Sequence, residues 1–216
     1  MSTNATFGQA GHTLTIIGQQ EPNTDHLKVL HNGYLADLMR AIKNGSLPNR
    51  QDFQKILGLL PEFKIWKTIT LRVFENADAI RSAVFAGGNR ISNPADDILN
   101  KMLLVKNEET FELVVASVAE LGLEDGATTR EIFERARGLG LDLCPAQVGP
   151  ELRIAYEDQP KGEWLLVAME QIAGSDGLPG VLVVGHDGGE RWLYAACAFS
   201  ECRWVAGGRW VFVRCK

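Results

Sequence analysis

The feature that most limits what this chain can fold into is the unbroken apolar run Trp164–Met169, WLLVAM, set between Glu163 and Glu170. A bilayer span takes about 20 apolar residues, so this run is far too short to be one. A strand over 163–170 fits it. Alternation then sends Leu165, Val167 and Met169 to one face and Trp164, Leu166 and Ala168 to the other. Burial of both sets would make this strand a central one, covered on both sides.

The residues around it share that character. Four of the five tryptophans, Trp164, Trp192, Trp204 and Trp210, lie in this last part of the chain. Further strands are predicted at 180–185, 191–198 and 209–214, with Asp187-Gly188-Gly189 as a hairpin turn. Upstream, the periodicity is mostly helical. Leu27, Leu30, Tyr34, Leu38 and Ala41 recur at helical spacing over 24–45, with Asn23 or Thr24 as cap and Gly33 as a weak point. A short helix follows Pro48, with Phe53, Ile56, Leu57 and Leu60 on its apolar side. Helices are also predicted from Asn76, from Asn93-Pro94 and over 129–138, the last from the capping box Thr128-Thr129-Arg130-Glu131. Strands are predicted at Phe63–Phe74 and Phe111–Val118, and a short β-like run at Thr13–Ile17.

These patterns predict an α+β protein, helical over its first two-thirds with one or two strands and closed by a small antiparallel β-sheet. Residues 1–140 form the mainly helical region and residues 141–216 the antiparallel unit, either separate or packed into one domain with it. Of 216 residues, 45% are hydrophobic and 23% charged, ordinary values for a globular chain. The net charge of −5 argues against non-specific coating of DNA or anionic membrane. The N-terminus lacks the basic start and apolar core of a secretory signal, and the cysteines are too sparse for a disulfide framework. The expectation is a cytoplasmic protein with reduced thiols, no membrane partner and no cofactor.

The segments GGNRISNPADDILNK, SVAELGLEDGATTREIFERARGLGLDLCPAQVGPELRIAYEDQPKGEWLLVAMEQI and the terminal RWVFVR resemble a family of bacterial proteins of unassigned function. The similarity covers about residues 75–216. It implies that the C-terminal part is a recurring module behind a variable N-terminal region, and it carries no activity or site residues with it.

Chemistry-bearing candidates are few. Cys144, followed by Pro145, is a conceivable nucleophile with His186-Asp187 as base and acid, although a buried cysteine is the commoner state. His186, Cys197, Cys202 and Cys215 lie within 30 residues. They lack the paired spacing of a zinc site, so no metal is expected. A helix-turn-helix over Thr128–Arg153 is disfavoured because its second helix would contain Gly149-Pro150. The polar cluster Arg153, Tyr156, Glu157, Asp158, Gln159 and Glu163 either lines a cleft or forms a solvated connector.

Residues 191–216 hold five basic residues against one acid, interleaved with aromatics. Trp, Tyr and Arg concentrate binding energy at interfaces. The leading expectation is therefore non-catalytic recognition of a macromolecular partner, a protein first, through Trp192, Arg203, Trp204, Arg209 and Trp210. At least one of the three indoles should be exposed beside Arg203 or Arg209. The alternatives are an enzyme using Cys144 or the acidic cluster near Arg153, and binding of single-stranded nucleic acid.

Overall fold

The computed structural model describes residues 19–48 and 61–215, together with Thr15, Phe53, Ile56 and Leu57. The chain divides into two compact units, Met1–Leu57 and Gly58–Lys216.

In the first unit, helix α1 (Thr24–Val29) starts at Asn23, whose side chain accepts from the His26 amide while the His26 ring accepts from the Asn23 amide. The helix expected over 24–45 does not run straight through. Residues Leu30–Tyr34 open into a π-type turn, and Gly33 takes φ 107°, a conformation only glycine adopts without strain. Helix α2 (Leu35–Lys43) follows. The helix expected after Pro48 and the β-like run Thr13–Ile17 lie largely outside the described residues.

The second unit is built on a nine-stranded mixed sheet. Its strands are β1 (Lys67–Leu71), β2 (Arg90–Ile91), β3 (Glu109–Ser117), β5 (Leu141–Asp142), β6 (Trp164–Val167), β7 (Ile172–Ala173), β8 (Pro179–Asp187), β9 (Glu190–Cys197) and β11 (Arg209–Arg214). The order is β1-β3-β11-β6-β8-β9-β2, with β5 on β11 and β7 on β8. Two short strands, β4 (Ala127–Thr128) and β10 (Arg203–Trp204), pair separately. Four helices pack around this frame: α3 (Ala77–Ala86), α4 (Asn93–Lys101), α5 (Thr129–Arg137) and α6 (Val148–Ala155).

This corrects the expected fold class in two ways. The protein is not helical over its first two-thirds, because β1 to β5 all precede residue 143 and the helices are short. Nor do the C-terminal strands form a small antiparallel sheet of their own. Strand β11 leaves β9 and inserts between β3 and β6, antiparallel to the first and parallel to the second. Strand β2 also pairs in parallel, with β9. Adjacent apolar residues Leu113 and Val114 of β3 point to opposite faces and are both buried, so this strand needed cover on each side.

Strand β6 is central. Leu165, Leu166, Val167, Ala168 and Met169 are all buried, and only Trp164 reaches the surface. Helices α4 and α6 cover the face carrying Leu182 and Leu193. Gly149 and Pro150, which counted against a helix here, sit in the first turn of α6. There the backbone amides have no intrahelical acceptor, so proline removes no bond. A Cβ on Gly149 would lie 2.6 Å from the Leu182 side chain, so glycine lets the helix approach the sheet. Helix α5 begins at the expected box, Thr128 capping the Glu131 amide and Glu131 returning the bond. It lies on the opposite face, where Phe133 meets Trp210 edge-on.

Candidate functional site: an aromatic groove

The register places Trp164, Gly185 and Trp192 in one row across β6, β8 and β9. Gly185 has no side chain, and the Trp164 indole occupies the space above it. A Cβ there would lie 2.9 Å from the indole. Trp164 therefore reaches over β8 and stacks on Tyr194 at 4.9 Å, and Trp192 stacks on the same ring at 5.0 Å. The result is a stack on the sheet with Tyr194 in the middle.

Beside it lies an open groove of about 580 Å³ at the end where β6 and β11 begin. Trp164 and Leu166 form one side, Val205 and the bare backbone of Gly207-Gly208 the other, and Lys161, Glu163 and Arg209 stand at its rim. Trp164 is 41% exposed and Val205 76%, so the groove presents apolar surface to solvent. Arg209 is paired with Glu163. Lys161 is exposed and has no carboxylate partner among the described residues.

The rim is held from beneath by the polar cluster. Arg153 is fully buried and donates to the side chain of Gln159 and the backbone carbonyls of Tyr156 and Gly185. Gln159 in turn donates to the carbonyls of Glu163 and Val184. Burial, and then the neighbouring Arg191, lower the Arg153 pKa to about 10, which leaves it charged at neutral pH. The Tyr156 hydroxyl donates to Glu163 at 2.8 Å, and the ring stands edge-on to Trp66. Glu157 and Asp158 are exposed. The cluster is thus neither a solvated connector nor a convergent set of carboxylates. It is the internal brace of the 156–163 turn.

Burial first, then the bond to Glu163, push the Tyr156 phenol up from 10.0 to about 12. The folded state holds this proton more tightly than the unfolded state does. The contribution to stability is complete below pH about 10 and is lost as pH rises through about 12. Denaturant melts across that alkaline window should show a steeper loss for the natural chain than for Tyr156→Phe. Equal slopes would remove Tyr156 from the account.

The residues singled out in the sequence separate sharply. Trp210 is 0% exposed, enclosed by Phe133 and Trp204, and is not a surface residue. Trp204 is half-buried and donates its indole N–H to Thr129 Oγ1 at 2.8 Å. Trp192 is half-buried in the stack. Arg203 is exposed and donates to the Gly126 carbonyl. Arg209 is in the groove. The exposed indole is Trp164, with Arg209 across from it. The signal that could have found it is Gly185, an isolated glycine inside a strand, which marks a close approach by another group.

The nucleophile reading fails on geometry. The Cys144 amide bonds Ala168 at one end of β6, whereas the His186 amide bonds Glu163 at the other. The Cys144 thiol is buried and donates to Val211, and burial raises its pKa far above the ordinary thiol range. The His186 ring is bonded to the Gln159 carbonyl. No group of three or more His, Cys, Asp or Glu among the described residues is arranged to hold a metal ion. Among these residues, too, no helix is long and apolar enough to cross a membrane.

Against known proteins, the chain matches no family model, no curated protein and no solved structure.

Proposed function

We propose that this protein is a recognition module that binds a segment of a partner protein in the Trp164 groove, an apolar or aromatic side chain seated on the indole and an acidic group at Lys161. The observation that carries this reading is the exposed Trp164, anchored through Tyr194 and Gly185 and edged by a lysine without a carboxylate partner among the described residues. An indole held rigid before binding loses little conformational freedom on binding. Aromatic contacts add about 0.5–1.5 kcal/mol beyond area burial. Residues 75–216 are further proposed, from the segments quoted above, to be a module that recurs in bacterial proteins.

A single nucleic-acid strand suits the site less well. The Tyr194 ring is already stacked with both Trp164 and Trp192, so it is not free as a platform for successive bases. At the groove, Arg209 is already paired with Glu163, which leaves Lys161, whereas tracking phosphates takes several available cations.

Selection of a random peptide library on the full chain tests the reading. Peptides with an aromatic or aliphatic residue next to Asp or Glu should emerge. Trp164→Ala should weaken them by roughly 30-fold, the effect of a 2 kcal/mol interface anchor. Lys161→Glu and Gly185→Ala, the second by displacing the indole, should weaken them less, all three with melting temperatures near that of the natural chain. Full affinity in Trp164→Ala would refute the groove. Trp164-dependent binding of oligothymidylate in place of peptides would refute the choice of partner.

A further inference from the structure

Helix α2 is amphipathic, and its apolar side faces solvent. Leu35, Leu38, Met39 and Ile42 recur at helical spacing and fall within an arc of about 100°. Leu35, Met39 and Ile42 are 42%, 47% and 50% exposed, and no residue of α1, of the π-type turn or of α2 is buried. A helix of nine residues is marginal in water by itself, and in proteins the packing of its apolar face supplies most of its stability. The polar side is already satisfied, since Asp37 and Arg40 form a pair at 3.0 Å there.

We propose that this face is covered by the same face of a second copy of the chain, the two α2 helices lying antiparallel about a two-fold axis between Leu38 and Met39. The helix carries the symmetry this requires. Reversed about that point, Leu38 falls on Met39, Asp37 on Arg40, Ala36 on Ala41 and Leu35 on Ile42. Apolar thus meets apolar, small meets small, and acid meets base. An interface between identical patches needs such self-complementarity because every contact occurs twice, whereas a groove on an unrelated protein does not require it.

In the pair, Leu35 packs on Ile42 of the second copy and Leu38 on Met39 of the second copy. Ala36 and Ala41 flank the stripe, and their small side chains let the two backbones come close. Lys43 sets the direction. A parallel pair would bring two lysines together at one end and align the helix dipoles, whereas the antiparallel pair sends the lysines to opposite ends. A membrane surface suits the helix less well. Interfacial helices carry a basic polar face, but here Asp25 pairs with Lys28 and Asp37 with Arg40, which cancels most of the charge.

Sedimentation equilibrium of the full chain tests this. The natural chain should dimerise with a dissociation constant on the order of 10 μM, the weak class to which a small helical interface belongs. Ile42→Glu and Leu35→Lys each put a charge into the apolar stripe, and the two-fold axis applies it twice. Either alone should weaken the dimer roughly 100-fold. Both positions are exposed, so neither change strains the fold of the single chain. An equimolar mixture of the two variants should recover a heterodimer, because the antiparallel register sets the two substituted positions opposite each other with opposite charges. A natural chain that stays monomeric at roughly ten times that concentration, or a dimer that Ile42→Glu leaves intact, would overturn the inference. A mixture that stays monomeric would overturn the antiparallel arrangement. A monomeric natural chain that co-sediments with anionic phospholipid vesicles, and loses them in Ile42→Glu, would refute the second copy as the occupant.

Discussion

Trp210→Ala is expected to remove about 4 kcal/mol of stability and to lower the melting temperature by roughly 10 °C, the range for deleting a fully enclosed aromatic from a domain of this size. Trp210 is 0% exposed, and it is met edge-on by Phe133 at 5.5 Å and by Trp204 at 5.0 Å. It joins β11, α5 and the β4–β10 pair, so the void would open where three elements meet. Trp204 cannot swing in to fill it, because its indole is fixed by the bond to Thr129. Peptide binding in the groove should survive in whatever fraction stays folded. Thermal or denaturant unfolding decides the matter, and a loss below about 1 kcal/mol would show that α5 does not depend on this contact. Trp164→Ala should do the opposite, with binding lost and stability kept.

Arg153→Met is expected to cost on the order of 3 kcal/mol, the balance of two opposed effects. Methionine keeps the apolar stem but leaves three acceptors, on Tyr156, Gln159 and Gly185, without their donor. Each buried acceptor left unpaired costs about 1–3 kcal/mol. Against this stands the relief of a buried charge. Depression of the guanidinium pKa from its ordinary value to about 10 places that relief at roughly 3 kcal/mol. Three lost acceptors outweigh it. The replacement of buried ion pairs by apolar residues, often neutral, is a poor guide here because no carboxylate leaves with the arginine. Urea unfolding should show the loss, together with weaker peptide binding, since the turn carrying Lys161 and Glu163 loses its brace. An Arg153→Met chain as stable as the natural one would mean that the turn holds itself.

What could be read in the sequence depended on how local the deciding contacts are. The Thr128–Glu131 box starts α5 as expected, because cap and amide are three residues apart. The cap at Asn76 and the turn at Gly188-Gly189 are settled within a few residues in the same way. At Ser92 the local rule is one residue off, since serine rather than Asn93 caps α4. The candidate site is legible in kind and not in membership. Trp and Arg crowding points to the C-terminal region, but it assigns Trp210 to the surface and leaves Trp164 in a buried strand.

By itself, the sequence determined the starts of α1, α3 and α5, marked β6 as the strongest apolar strand, and marked Gly33 as the weak point of the first helix. These follow from propensity, alternation and capping, which act between residues close along the chain. Only the tertiary structure decided that β11 would leave its hairpin neighbours and run parallel to β6. The same holds for the fate of the two indoles, Trp164 and Trp210, which the register puts on one face of the sheet. Alternation assigns a side chain to a face but does not say what lies over it. Helix α5 covers Trp210, nothing comparable among the described residues covers Trp164, and that difference is made by contacts between residues far apart in the chain.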